Sequence, residues 1–141
     1  MEKEYLDFRS TLFWLILLPA IGIIFIGLRF ILAPATGAEG FGVPINDPKS
    51  FPYLYVKGTR DIVSGLLVLA FLWQKLRRIH IAILFFITAL ILSADFLNVI
   101  FNSSDRAAPW IHGLTALYMI VVAIVTYGSA LGDRGQGLIR N

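Results

Sequence analysis

The sequence contains no cysteine, which excludes disulfides, thiolate chemistry, iron–sulfur ligation and cysteine-based zinc sites. The same absence removes the quinone-linked thiol oxidoreductases, a class that small helical membrane proteins could otherwise fill. Charge is scarce as well. Asp, Glu, Lys and Arg supply 15% of the chain against 57% hydrophobic residues, a balance outside the soluble globular range and typical of membrane proteins. No internal repeat of the kind that builds inverted transporter halves is present. The basic pI near 9.5 does not mark a nucleic-acid binder, because the basic residues are scattered among apolar spans rather than gathered in a stripe. The positive-inside rule accounts for them better.

What is present is length for one domain, 141 residues, cut into long apolar runs. The reading is all-α: a membrane-spanning four-helix up-down-up-down bundle over residues 1–141, with spans at about 11–32, 53–74, 79–101 and 109–129. The leader MEKEYLDFRS is mixed in charge, and Ser10 is placed as the N-cap of TLFWLILLPAIGIIFIGLRFIL. A cleaved signal peptide is set aside. Ala33-Pro34-Ala35 loosely imitates a cleavage site, but Glu2, Glu4 and Asp7 are wrong for a signal n-region, and the apolar run is too long. Pro19 is a kink site within this helix, and Gly22 and Gly27 would admit a close neighbour. Residues 34–52, rich in Gly and Pro, read as a loop long enough to fold over the membrane face as a partial lid. The last span opens near Pro109, a suitable first-turn residue, and the Gly-rich tail after Tyr127 is expected to fray. Lys3, Arg9, Lys75, Arg77, Arg78, Arg134 and Arg140 fall on one side, against Lys49 and Arg106 on the other. That count puts both termini in the cytoplasm. Trp14, Trp73, Trp110, Tyr53 and Tyr127 fit aromatic belts.

The central stretch is Tyr53 to Trp73, YLYVKGTRDIVSGLLVLAFLW. It reaches the roughly 20 residues a span needs only by taking Lys57, Arg60 and Asp61 below the membrane surface. Each charge at a span's centre costs about 2.5 to 3.5 kcal/mol. The other spans place polar residues at a matching level. At the standard rise, Arg29 lies about 27 Å from Thr11, Arg60 about 20 Å from Trp73, Asp95 about 24 Å from Ile79 and His112 about 22 Å from Tyr127. Phase agrees with depth. Lys57, Arg60, Asp61 and Ser64 follow i, i+3, i+4, i+7, while Asp95 with Asn98, and His112 with Thr115, are i, i+3 pairs.

Candidate ligand-binding residues are therefore Lys57, Arg60, Asp61, Asp95, Asn98, His112 and Arg29, with His112, Asp95 and Asp61 as catalytic candidates. Each has a structural role to set beside the functional one. Arg60 with Asp61 or Asp95 would serve as a register-fixing ion pair. Lys57 and Arg29 would snorkel to the interface. His112 would be a satisfied interface histidine, and Asn98 inter-helix glue. One His and two carboxylates beside cations make a poor metal site, so no metal or cofactor is expected.

The segments RFILAPATGAEGFGVP and YLYVKGTRDIVSGLLVLA, with LILSADFLNV and PWIHG downstream, resemble the DUF4267 family. The resemblance implies small four-helix membrane proteins broadly similar to the DoxX-like group, and it covers nearly the whole chain. On it, Lys57, Gly58, Arg60, Asp61, Asp95 and His112 occupy the family's characteristic positions. It implies fold and membrane location and transfers no substrate. The quinone and sulfur oxidation associated with DoxX-like subunits does not carry over to a chain without cysteine or a cofactor motif.

The functional expectation is an integral, multi-pass membrane protein whose polar pocket near the outer face binds a small amphipathic or anionic molecule. The alternatives are a small acid/base isomerase or cyclase acting on a lipid-like substrate, and an accessory subunit in which the charges are a folding lock. The expected partners are the lipid bilayer and a lipid-like or anionic small molecule, with no nucleic acid and a homo-oligomer left open.

Overall fold

Hydrophobic runs of helical length set the long elements, flanked by Pro, Ser or Gly at most ends and by the basic turn of residues 74–77 after Trp73. The computed structural model describes residues 5–139, with side chains described to residue 132. Lys3 and Arg140, counted above toward orientation, lie outside the described residues, as does the side chain of Arg134. Five helices follow one another: α1 Thr11–Leu32, α2 Pro34–Phe41, α3 Phe51–Trp73, α4 Arg78–Asn102 and α5 Ala108–Ile139. The described residues are helical or irregular, with no strand. The helices α1, α4 and the Ala108–Gly132 part of α5 are each long and apolar enough to cross a membrane. Helix α3 has the length, about 34 Å at the standard rise, but carries the charges.

Two expectations are corrected here. The four-helix count misses α2, because the 34–52 segment is not a plain loop. Pro34 sits in the first turn, where its missing N–H costs nothing. Gly42 ends the helix in the left-handed region at φ 97°, its N–H bonding to Glu39 O at 3.0 Å and the Val43 N–H to Ala38 O at 3.2 Å. A short 3₁₀ turn, Pro48–Ser50, then leads into α3, with the Asp47 carboxylate accepting from the Lys49 N–H at 3.0 Å. The second correction is the tail, which continues as helix to Ile139 instead of fraying after Tyr127. Ser10 holds the N-cap position of α1 in extended conformation, but its hydroxyl makes no capping bond.

Packing divides the long helices into two close pairs, α1 with α3 and α4 with α5, with sparse contact between the pairs. Small residues allow the first pair its approach. A Cβ on Gly27 would lie 2.6 Å from Gly58 O, one on Gly58 2.6 Å from Gly27 O, and one on Gly65 2.6 Å from Ala20 O. Gly22, the other glycine expected to admit a neighbour, faces open space. In the second pair, Gly113 receives the Phe96 ring, 3.1 Å from where its Cβ would be. The main core fills the end of the bundle remote from α2, around Ile16, Val68, Ile81, Phe85 and Val122. Leu6 folds into that end and is buried with it. The leader is held there by Arg78 Nε donating to Tyr5 O at 3.2 Å and Trp14 Nε1 donating to Phe8 O at 2.9 Å. Near the other end, α2 closes a small second cluster of Phe30, Ala38 and Leu54.

Candidate functional site: an ion quartet and a cavity under α2

The spacing of Lys57, Arg60 and Asp61 puts all three on the face of α3 that meets Asp95 of α4. They close into a four-charge ring. Lys57 Nζ donates to Asp95 Oδ2 at 2.9 Å and to Asp61 Oδ2 at 3.5 Å. Arg60 grips Asp61 Oδ1 through Nε at 3.0 Å and a terminal nitrogen at 2.8 Å, and the same nitrogen reaches Asp95 Oδ2 at 3.0 Å. Asp61 is 2% exposed and Asp95 8%, so each carboxylate has given up water for two cations. Two positive and two negative charges leave the ring neutral, the condition under which buried charges are tolerated. This ring bridges the sparse α3/α4 contact. Lys57 thus turns inward rather than snorkelling. Its ammonium also stands 4.1 Å from the Phe41 ring centroid and 5.1 Å from that of Phe30, within cation–π range.

His112 and Arg29 lie apart from the ring, against α2. The Phe41 carbonyl, one of the free acceptors at the α2 C-terminus, takes the His112 Nε2–H at 2.9 Å, and the two rings are 4.5 Å apart. A carbonyl can only accept, so that nitrogen carries a proton. Arg29 donates to Thr36 O at 3.3 Å. Gly40 leaves room for it, since a Cβ there would be 3.1 Å from the guanidinium. Asn98 joins neither group. It is exposed and accepts from Asn102 Nδ2 at 2.9 Å on its own helix, so it does not glue helices together.

Between the two helix pairs lies a cavity of about 230 Å³, lined by residues of all five helices. Its walls are apolar: Ile23 and Ile26 on α1, Val68 on α3, Phe85 and Leu92 on α4, and Met119 on α5 are among them. Its ionisable groups, Arg29 and His112, lie toward α2 with Thr115, while two hydroxyls, Ser64 of α3 and Thr88 of α4, border it near mid-depth, each bonded to a carbonyl of its own helix. The charged ring does not line the cavity. It is joined to it through Phe30 and Phe41, which form the cavity wall on one face and receive Lys57 on the other. Of the seven residues singled out from the sequence, four therefore form the ring, two border the cavity and Asn98 stands alone.

The arrangement has consequences for chemistry. Both buried carboxylates are engaged by cations, and His112 by a carbonyl, so among the described residues no carboxylate is bonded to the imidazole. Among the described residues, no three His, Asp or Glu side chains gather where they could hold a metal. Sequence reasoning missed Phe30 and Phe41. The signal for Phe41 was Gly42, a helix stop that makes Phe41 the last residue of a helix starting at Pro34.

No curated protein matches the chain, and no solved structure matches it. A family model described as "Domain of unknown function (DUF4267)" matches residues 20–126, a span that takes in the ring, α2 and all of the cavity lining but Pro19. The chain belongs to the DUF4267 family.

Proposed function

We propose that this protein is a multi-pass membrane protein that binds a small amphipathic anion in the cavity between its helix pairs. The observation that carries the proposal is the placement of the ionisable groups of the lining, Arg29 and His112, both at the α2 end of walls that are otherwise mostly apolar. The Ser64 and Thr88 hydroxyls at mid-depth are spent on their own helices. Such a lining suits a chain with a charged head. Arg29 offers the anion a planar, permanently charged donor set.

Size narrows the class. A cavity of about 150 Å³ accommodates benzene, so on that scale this one takes a chain of roughly nine carbons. A whole phospholipid is too large.

The membrane setting rests on α1, α4 and α5, with α3 as the fourth crossing. Tyr53 and Trp73, both exposed, stand about 30 Å apart along α3 at the standard rise, the thickness of a hydrocarbon core. Trp110 joins Tyr53 at the α2 end, and Trp14 and Tyr127 join Trp73 at the other. The count of Lys and Arg near the helix ends favours α2 outside and both termini in the cytoplasm. The wider likeness to DoxX-like proteins adds no substrate to this reading. The ring of Lys57, Arg60, Asp61 and Asp95 shapes the site from behind, holding Phe41 and Phe30 in the wall. An acid/base enzyme is less well supported, because Asp61 and Asp95 are turned to Lys57 and Arg60 and away from His112.

The test is equilibrium binding of decanoate to the full chain in nanodiscs, measured against empty discs. Saturable binding at one molecule per chain is expected. Arg29→Gln should weaken it by about tenfold or more, the value of one charge-assisted hydrogen bond. Met119→Trp, which fills the deep end, should abolish it, and decanol should bind more weakly than decanoate. Binding no greater than to empty discs, or binding indifferent to both substitutions in well-folded variants, would overturn the proposal.

A further inference from the structure

Resting on that reading of the cavity, we infer that its ligand is membrane-dissolved and enters sideways, from the bilayer, through the seam between α1 and α5. The ligand class is then a single-chain amphiphile that partitions into lipid, and not a water-soluble anion that arrives through the α2 face.

The exposure of the lining residues points to the open side. Those on α3 and α4 are mostly closed off: Val68 is 3% exposed, Phe85 1%, Thr88 5% and Leu92 6%, with Ser64 of α3 half-buried. Those that reach the surface stand on the far side of the cavity. Ile26 of α1 is 46% exposed and Ile111 of α5 63%, with exposed Arg29 and Gly40 at the upper corner. The cavity thus has a back wall of α3 and α4 and a doorway of α1 and α5, whose edges are the isoleucines. Edges of that kind face acyl chains at little cost, whereas an aqueous doorway would expose them to water.

The lower route is filled, and the α2 end is partly covered although Arg29 and Gly40 reach the surface there. At the end remote from α2, buried Leu6 and the core around Ile16 fill the bundle below the cavity. At the α2 end, Phe41 lies across the cavity, fastened by the His112 hydrogen bond and by the Lys57 ammonium. The α1/α5 seam is pinned near its lower part, where Tyr118 donates to Leu15 O at 2.7 Å. At its top it is bridged only through α2. Between those points the two helices have sparse contact.

This geometry also sets the orientation of the guest. From Arg29 to Pro19 along α1 is about 15 Å, and from His112 to Met119 along α5 about 10 Å. An anionic head at Arg29 therefore leaves its chain a shaft of that depth, parallel to the lipid chains it came from. A single-chain amphiphile can slide in without turning over.

The absence of cysteine makes a direct test available, since one introduced thiol takes a label at one place. Full-length Ile26→Cys would carry a bulky maleimide at the doorway, and Glu39→Cys the same label on the exposed side of α2, both attached after reconstitution into nanodiscs. Ile111→Cys repeats the doorway test from the opposite edge, in case the first variant is unstable. The probe is 10-bromodecanoate, followed by stopped-flow quenching of tryptophan fluorescence. The expected result is association slowed at least tenfold by a label at either doorway position and unchanged by the label at Glu39→Cys. Slowing by the Glu39→Cys label alone would place entry at the aqueous face and overturn the lateral route while leaving binding intact. Equal slowing by all labels, or by none, would overturn it as well. If the unlabelled wild-type protein shows no saturable phase, it is the binding reading itself that has failed.

Discussion

The α3/α4 seam and the α1/α5 seam lie on opposite sides of the bundle, and both are places where the helix pairs meet without close packing. They are bridged by different means. The first is spanned by four charges that satisfy one another, two buried carboxylates and two half-buried cations, a directional contact that fixes how far α3 can slide on α4. The second is joined by a hydrogen bond near one end and by α2 at the other, with a cavity between. A neutral ring specifies register, and an apolar gap admits a guest. The comparison separates the residues that hold the bundle together from those that leave room in it.

The largest effect should come from unbalancing the ring. Asp95→Leu leaves Lys57 and Arg60 sharing Asp61, and the loss should be about 3 to 5 kcal/mol for a buried pair broken on one side. The lower end is expected, because Arg60 is about one-third exposed. Unfolding in mild detergent measures it. The double variant Arg60→Met with Asp95→Leu keeps Lys57 opposite Asp61 and should recover at least about 1 kcal/mol relative to the sum of the single losses. Strict additivity would mean that the seam does not depend on the ring.

Next comes the α1/α3 contact. Gly58→Ala forces a methyl against the Gly27 carbonyl and should cost about 1 to 3 kcal/mol by overpacking. On the open seam, Tyr118→Phe removes only the bond to Leu15 and should cost about 0.5 to 1.5 kcal/mol. The smallest effect belongs to Ile26→Ala and Ile111→Ala, each expected within about 0.5 kcal/mol of wild type in the same assay. If those two destabilise as much as Asp95→Leu, the contrast between the seams is wrong.

Much of this was legible in the residues themselves. The i, i+3, i+4 spacing of Lys57, Arg60 and Asp61, with Asp95 at a matching depth, predicts charges that meet between helices, because unpaired charges in that setting are expensive. The close glycine contact of α1 is legible at Gly27 but not at Gly22, since the sequence shows both and only packing decides which faces a neighbour. The partners of Lys57 were not legible. Its length permits snorkelling as well as pairing, and the choice depends on where Asp95 and Phe41 stand. The cavity was invisible for a different reason. It is defined by what α1 and α5 fail to fill, and no periodicity records a gap. Helix α2 was hidden by its Gly and Pro content: Pro34 and Gly42 occupy a first turn and a left-handed stop, the positions that suit them, but Gly37 and Gly40 stand inside the helix, where glycine is unfavourable.

The neutrality of the ring has an electrical meaning. A membrane potential acts on each elementary charge with about 2.3 kcal/mol per 100 mV of the field crossed. On Lys57, Arg60, Asp61 and Asp95, held at nearly one level, the pushes and pulls cancel, so the α3/α4 seam carries no gating charge. Arg29 has no carboxylate partner among the described residues, and an anion seated beside it would cancel its charge too. Filling the cavity would then offset the charge of Arg29, and the occupied protein would be electrically quieter than the empty one.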